Sequence, residues 1–302
     1  MRAWLCAAVL AAAACGGGGG STGDDDQPDA AVDGSVTPGW TSLIERSWSL
    51  DPTVEGFKCI RIKIEQDTYV NAFHVKSPPG THHELLTIST TPSPIGEYEC
   101  DALNLDKQMV FAGGIDTNDL QFPAGVAIKL AAGTYINLNL HVANFTDSPI
   151  SGTSGIEVKT LKASEVVNEA EAMFLGTFNI HILPGATNQM VPGSCVAPTE
   201  WRILDLWPHM HSYAKHQNVK VARSTGPVET LLNVDYTYME QKNYPMTNVA
   251  IHPGDELQVE CYYDNPTQQE VTYGDSAVAE MCFAGFYTYP ANGVDKYFCS
   301  QL

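Results

Sequence analysis

Positive charge is scarce in this sequence: 16 Lys and Arg stand against 35 Asp and Glu, a formal net charge of -19. Such a field repels phosphate backbones, so nucleic acid is excluded as a natural partner. No internal apolar run approaches the ~20 residues that a membrane-spanning helix needs. No C-x-x-C pair occurs, and the cysteines are too dispersed for a zinc ribbon. Charged residues make up 17% of the chain, against about 25% in an average soluble protein. Apolar residues reach 44%, which supplies sizeable cores and excludes global disorder. The 302 residues suggest two domains at roughly 150 residues each. Thirteen Tyr, 18 Pro and 25 Gly, with many Val, Ile and Thr, favour β structure with turns over helical bundles.

The N-terminus reads as an address. Met1-Arg2 precedes a small-apolar run that ends in four alanines and Cys15, followed by five glycines. This looks like a bacterial lipoprotein signal: residues 1–14 are removed and Cys15 becomes the lipidated first residue. Ordinary secretion with cleavage nearby is the simpler alternative. Residues 15–39 read as a disordered tether, since 16–38 carry five Asp and no Lys or Arg. The expected location is therefore outside the cytoplasm, in the periplasm or at the cell surface, with membrane contact through the lipid anchor only.

Six cysteines remain in the body: Cys59, Cys100, Cys195, Cys261, Cys282 and Cys299. An even number in an exported chain argues for disulfides, with fifteen possible pairings. Two precede residue 150 and four follow residue 190, which suits bridging within each half. Between them the chain reads as strands. Ile60, Ile62 and Ile64 alternate with Arg61, Lys63 and Glu65. Ile136, Leu138, Leu140 and Val142 share one face, which puts Asn137, Asn139 and His141 on the other. In 201–212, Leu204, Leu206, Pro208 and Met210 share a face, opposite Asp205, Trp207, His209 and His211. Leu257, Val259 and Cys261 point together. Residues 164–173 read as a short helix or an irregular linker. The fold class expected is all-β: two antiparallel, jelly-roll-like β-sandwich domains in tandem, at 40–162 and 163–302.

Three groups of residues could carry chemistry. His82-His83 follows a Pro-Pro-Gly turn. Neighbouring strand residues point to opposite faces, so both rings reach one ion only where the backbone is irregular. By itself the pair reads more simply as an exposed polar turn. His209-x-His211 is stronger, because strand residues two apart lie on one face and can chelate one metal. Met281 would be core in most contexts. However, if Cys282 turns inward to meet Cys261, Met281 turns to the side of His209 and His211. Two imidazoles with a thioether favour Cu(I), while an all-imidazole set such as His82, His83 and His141 suits copper or zinc.

Taken in order, His82-His83, His141, His209-x-His211 and Glu280-Met281-Cys282 resemble the copper type II, ascorbate-dependent monooxygenases. The resemblance covers about residues 40 to 302 and extends to 251–255 (Ile-His-Pro-Gly-Asp), Cys261 and 271–274 (Val-Thr-Tyr-Gly). It implies two copper ions per chain. His82, His83 and His141 would hold the copper that stores and delivers an electron. His209, His211 and Met281 would hold the catalytic copper that meets dioxygen and substrate. It also implies the disulfides Cys59–Cys100, Cys195–Cys299 and Cys261–Cys282, and ascorbate or another reductant as co-substrate. Asn139, two residues before His141, is a candidate for supporting the first copper site.

The chain departs from the peptide-hydroxylating branch of that family. Trp207 stands where an Arg holds the substrate carboxylate there, and Phe283 and Gly285 replace an assisting Asn and Tyr. A pocket beside Trp207 and Phe283 favours a small apolar or aromatic substrate. The expected activity is hydroxylation of a substrate C–H with dioxygen. The alternatives are an extracytoplasmic lipoprotein that buffers copper without turnover, and a sandwich whose histidines merely face solvent without binding metal. No role is assigned to His74, His181, His216 or His252.

Overall fold

The structure, a computed structural model, describes residues 36–101, 108–114, 116–238, 240, 242–274, 276, 278–292 and 298–299. The signal segment, Cys15 and most of the tether lie outside these residues. The first half holds β1 (Thr41–Leu50), β2 (Glu55–Lys63), β3 (Thr68–Lys76), β4 (Thr81–Ser89), β5 (Gly96–Cys100), β6 (Gln108–Gly114), β7 (Leu120–Gln121), β8 (Val126–Leu130), β9 (Tyr135–Ala143) and β10 (Ile150–Leu161). A single 3-10 turn, Ala163–Glu165, follows. The second half holds β11 (Asn168–Thr177), β12 (His181–Ile182), β13 (Gln189–Val196), β14 (Trp201–His209), β15 (Ala214–Ala222), β16 (Val228–Asp235), β17 (Tyr244–Ile251), β18 (Glu256–Tyr263), β19 (Val271–Thr272) and β20 (Cys282–Tyr289). The chain is all-β, as expected.

In the first half a sheet of order β5-β2-β9-β4-β6 faces β1-β10-β3-β8. In the second half β13-β18-β15-β16 faces β11-β20-β14-β17. The two backing sheets are continuous, because β8 and β11 pair in parallel through Val126↔Asn168 and Ile128↔Ala170. Pairing elsewhere in that sheet is antiparallel.

Period-two alternation explains the packing. Ile136, Leu138, Leu140 and Val142 of β9 are fully buried in the first core, each worth ~1.5–3 kcal/mol of apolar burial. On β20, Cys282, Ala284 and Phe286 enter the second core, while Phe283 and Tyr287 join the first. The second half therefore presents an apolar sheet face to the first half, and β14 lies in that sheet.

Two expectations change, and one face gains a cover. Residues 168–173 are strand, since β11 finds partners on both sides in β8 and β20. Leu204 does not share a face with Leu206: a bulge between Ile203 and Asp205 turns it into the first core, while Leu206 stays in the second. The polar face of β9 is covered, with Asn137 and Asn139 fully buried. Tyr98 Oη donates to Asn137 at 2.7 Å, and Asn139 Nδ2 donates to the Asp101 carbonyl at 3.0 Å.

The disulfides are Cys59–Cys100, Cys195–Cys299 and Cys261–Cys282. The first ties β2 to β5, and the third ties β18 to β20 across the second sandwich. Three such bonds suit an oxidising compartment. No helix among the described residues is long and apolar enough to cross a membrane.

Candidate metal centres

The first group is built by a turn and a bulge. Gly80 sits at φ +100°, where a Cβ would lie 2.7 Å from both Trp48 and Ile150. It turns the chain into β4. There β4 pairs Thr81 with Val142 and then His83 with His141, so His82 is an extra, bulged residue. The bulge supplies the irregular backbone that two adjacent ligands require. Ligand nitrogens of His82, His83 and His141 lie within 4.8 Å of one another. His82 Nδ1 and His83 Nδ1 are 3.1 Å apart, near the ~3.3 Å between two ligands of one tetrahedral ion with bonds of ~2.0 Å.

His141 is oriented by residues that the sequence did not flag. Phe57, its cross-strand neighbour, stacks on its ring at 4.5 Å and 9°. Glu55, two residues earlier on β2, accepts from His141 Nε2–H at 2.6 Å. With the proton on Nε2, Nδ1 carries the lone pair. Nδ1 is buried and has no hydrogen-bond partner among the described residues, as expected of an atom reserved for a metal. Burial, helped by neighbouring imidazoles, lowers the His82 pKa to about 4 and holds His83 well below its ordinary value. Both rings are neutral at pH 7, the form that ligates.

The second group lies at the end of β14. His209 is paired with Phe283. Met281 stands two residues before Phe283, just ahead of β20. Cys282 points into the second core through its bond to Cys261, and half-buried Met281 packs against the first core instead. His211 lies beyond the strand, in a turn closed by Ala214 N–H to the His211 carbonyl. The rings of His209 and His211 are 5.5 Å apart and nearly perpendicular.

Glu280 assembles this group. Fully buried, it accepts from the backbone amides of His211 at 2.8 Å, Tyr213 at 2.7 Å and Met281 at 3.3 Å. One carboxylate thus ties the histidine turn to the methionine segment. Burial raises its pKa to about 7, partly offset by these amides. His211 Nδ1–H donates to the Ala279 carbonyl at 3.1 Å, which makes Nε2 its unprotonated nitrogen. Tyr263 Oη donates to the Met281 carbonyl at 2.6 Å.

The two groups are neighbours. The Tyr238 ring lies 4.8 Å from His82 and 6.2 Å from His211. His83 is influenced electrostatically by His209 and His211. Beside His209 stands an aromatic wall. Trp207 packs edge-on against Phe174 at 5.0 Å, and Phe283 contacts Phe178 at 5.3 Å and Phe298 at 5.9 Å. These rings lie over Gly285 and Gly176, where a Cβ would overlap Trp207 and Phe283 respectively.

The remaining candidates lie elsewhere. Asn139 faces the Asp101 carbonyl. His74 pairs with Asp119, His181 with Glu270 and His216 with Asp235, while the backbone N–H of His252 donates to Asp255. Sequence reasoning missed Glu55, Phe57, Tyr238 and Glu280. Only Glu280 carried a signal, through its place beside Met281. The first donor set fits copper: three imidazoles converge, two of them kept neutral by burial, and His141 Nδ1 is buried without a hydrogen-bond partner among the described residues. In the second set the two imidazoles stand together, and a thioether such as that of Met281 has the softness that Cu(I) prefers.

Comparison with known proteins agrees with this chemistry. Residues 168–302 match the family described as copper type II ascorbate-dependent monooxygenase, C-terminal domain. The chain is 27% identical over 242 residues to the human "Putative DBH-like monooxygenase protein 2", covering 71% of this chain and 48% of that protein. It is 25% identical over 235 residues to the mouse "DBH-like monooxygenase protein 2", covering 69% of this chain and 38% of that one. The chain thus spans about half or less of the length of these curated relatives. These matches liken residues 168–302 to the C-terminal domain of that family, beside relatives at 27% and 25% identity.

Proposed function

We propose that this chain is a copper-dependent monooxygenase that hydroxylates a C–H bond of a small apolar or aromatic substrate. His82, His83 and His141 would hold one copper, and His209, His211 and Met281 the other. The carrying observation is the convergence of five histidines from remote segments into two adjacent groups, within a chain whose C-terminal half matches the copper family. Copper would supply electron storage at the first group and dioxygen activation at the second.

The protein's residues do the rest. Glu55 keeps the His141 proton on Nε2 and so directs Nδ1 to the first centre. Burial keeps His82 and His83 neutral. Glu280 fixes the backbones of His211 and Met281 against each other. Trp207 and Phe283 are themselves buried, so they would back the site beside His209 from within the core, and Trp207 stands where the peptide-hydroxylating branch has its carboxylate-holding Arg. Ascorbate or another donor would be the reductant. In this reading residues 40–162 and 163–302 are the two copper domains, and Cys15 anchors the exported chain to a membrane.

The test joins metal analysis to oxygen uptake. Two coppers per chain are expected, with oxygen consumption that requires both reductant and an aromatic or apolar substrate. Met281→Ile should keep the first copper and the fold but abolish turnover; full activity in that variant would refute the role of Met281. Copper uptake without substrate-dependent oxygen consumption would favour a copper-buffering protein. Absence of stoichiometric uptake would reject both readings. Efficient hydroxylation of peptides ending in glycine would refute the apolar substrate preference.

A further inference from the structure

Tyr238 lies between β16 and β17, and two anchors flank it. On one side, Tyr236 N–H donates to the Lys215 carbonyl at 2.8 Å. The buried Tyr236 hydroxyl donates to the Met210 carbonyl at 2.6 Å and accepts from the Met210 amide at 3.3 Å. Met210 is the residue between His209 and His211, so this anchor grips the second histidine group. On the other side, Asn243 is clasped to Asn118 of the first half. Asn243 N–H donates to Asn118 Oδ1 at 2.9 Å, Asn118 Nδ2 to the Asn243 carbonyl at 3.1 Å, and Asn243 Nδ2 to the Asn118 carbonyl at 3.1 Å. Between these anchors the Tyr238 ring contacts His82 at 4.8 Å and His211 at 6.2 Å.

We infer that Tyr238 is a positioning residue that holds the two histidine groups at one separation and thereby sets the rate of electron passage between the metals they hold. One electron leaves the first metal and arrives at the second; no bond to Tyr238 forms or breaks. The kinetic half of this inference rests on the two-copper reading, and the positional half does not. The contacts to both imidazoles are made by the ring, so the aromatic ring is what the placement requires.

Three variants test it: Tyr238→Leu, Tyr238→Phe and Asn118→Ala, the last outside both proposed ligand sets. In the metal-free protein, proton NMR reads the ring-current displacement of the His82 and His211 ring protons. Wild type and Tyr238→Phe should show it at both histidines, and Tyr238→Leu at neither. In the copper-loaded protein, stopped-flow mixing of the reduced form with dioxygen and substrate reads reoxidation of the first copper. Tyr238→Leu should slow it at least tenfold at unchanged copper content, Asn118→Ala should slow it less, and Tyr238→Phe should restore it. Displacements that persist in Tyr238→Leu overturn the placement. A Tyr238→Leu rate within twofold of wild type overturns the kinetic role. If wild type takes up fewer than two coppers, the functional reading fails, and the NMR measurement alone decides the positioning claim.

Discussion

Removal of Glu55 should weaken metal binding at the first histidine group without disturbing the second. The carboxylate accepts from His141 Nε2–H at 2.6 Å, and Phe57 covers one face of the ring. In Glu55→Ala the imidazole can carry its proton on either nitrogen. Fewer molecules then present an unprotonated Nδ1 toward His82 and His83. Carboxylates that orient a metal-bound histidine are worth about 10–100-fold in affinity. The Glu55 side chain is 56% exposed, so solvent screening places the effect near the lower end, about tenfold, or about 1.4 kcal/mol. Glu55→Gln keeps an acceptor oxygen without the charge, and its loss should be about threefold. A competition titration with a chromophoric Cu(I) chelator, in a His209→Ala background, reads the first group alone. Affinity within twofold of the parent would refute the reasoning. Tighter binding would also refute it, because Glu55 would then be competing with the metal for His141.

Three further outcomes are expected. Gly285→Ala puts a methyl group into the Trp207 indole and should cost about 1–3 kcal/mol, a melting shift of ~2–4 °C per kcal/mol; in a Trp207→Ala background the cost should vanish, and an unchanged cost would show that the clash is elsewhere. Burial raises the Asp205 pKa to about 8, with the Tyr244 amide only partly opposing it. The contribution of Asp205 to stability is therefore full below about pH 4 and is lost as pH rises to about 8, by on the order of 5 kcal/mol; Asp205→Asn should remove that component from denaturant titrations across the range, and an identical pH dependence in the variant would exclude Asp205 as a source. Replacing Cys261 and Cys282 by Ala removes a bridge across a separation of 21 residues, worth about 3 kcal/mol; copper at the second centre should be lost before copper at the first, and simultaneous loss would contradict the role of Cys282 in aiming Met281.

The parts legible in the sequence were those with short-range pattern. Period two placed the cores of β9 and β18, and the spacing of His209 and His211 marked one group. The family resemblance supplied the three cysteine pairings, which the structure contains. What escaped depended on register between distant strands. Glu55 meets His141 only because Phe57 pairs with His141 across β2 and β9, and no local signal at Glu55 announces that. The bulge at Leu204 reversed one residue in an otherwise regular alternation. The segment at 168–173 looked irregular because its strand is defined by β8 and β20. Tyr238 sits outside any strand, and its importance comes from two anchors on opposite halves.

The parallel pairing of Asn168–Ala170 with Val126–Ile128 has a consequence for modularity. It welds the backing sheets along a seam, so neither sandwich ends in a finished border there. Cutting the chain near residue 162 would leave two raw strand edges and strip the cover from Phe174, Trp207, Phe283 and Tyr287. Exposed edges and bare aromatic surface invite self-association. The halves are accordingly not interchangeable cassettes, and a protein that borrowed either one would have to rebuild the missing wall around it.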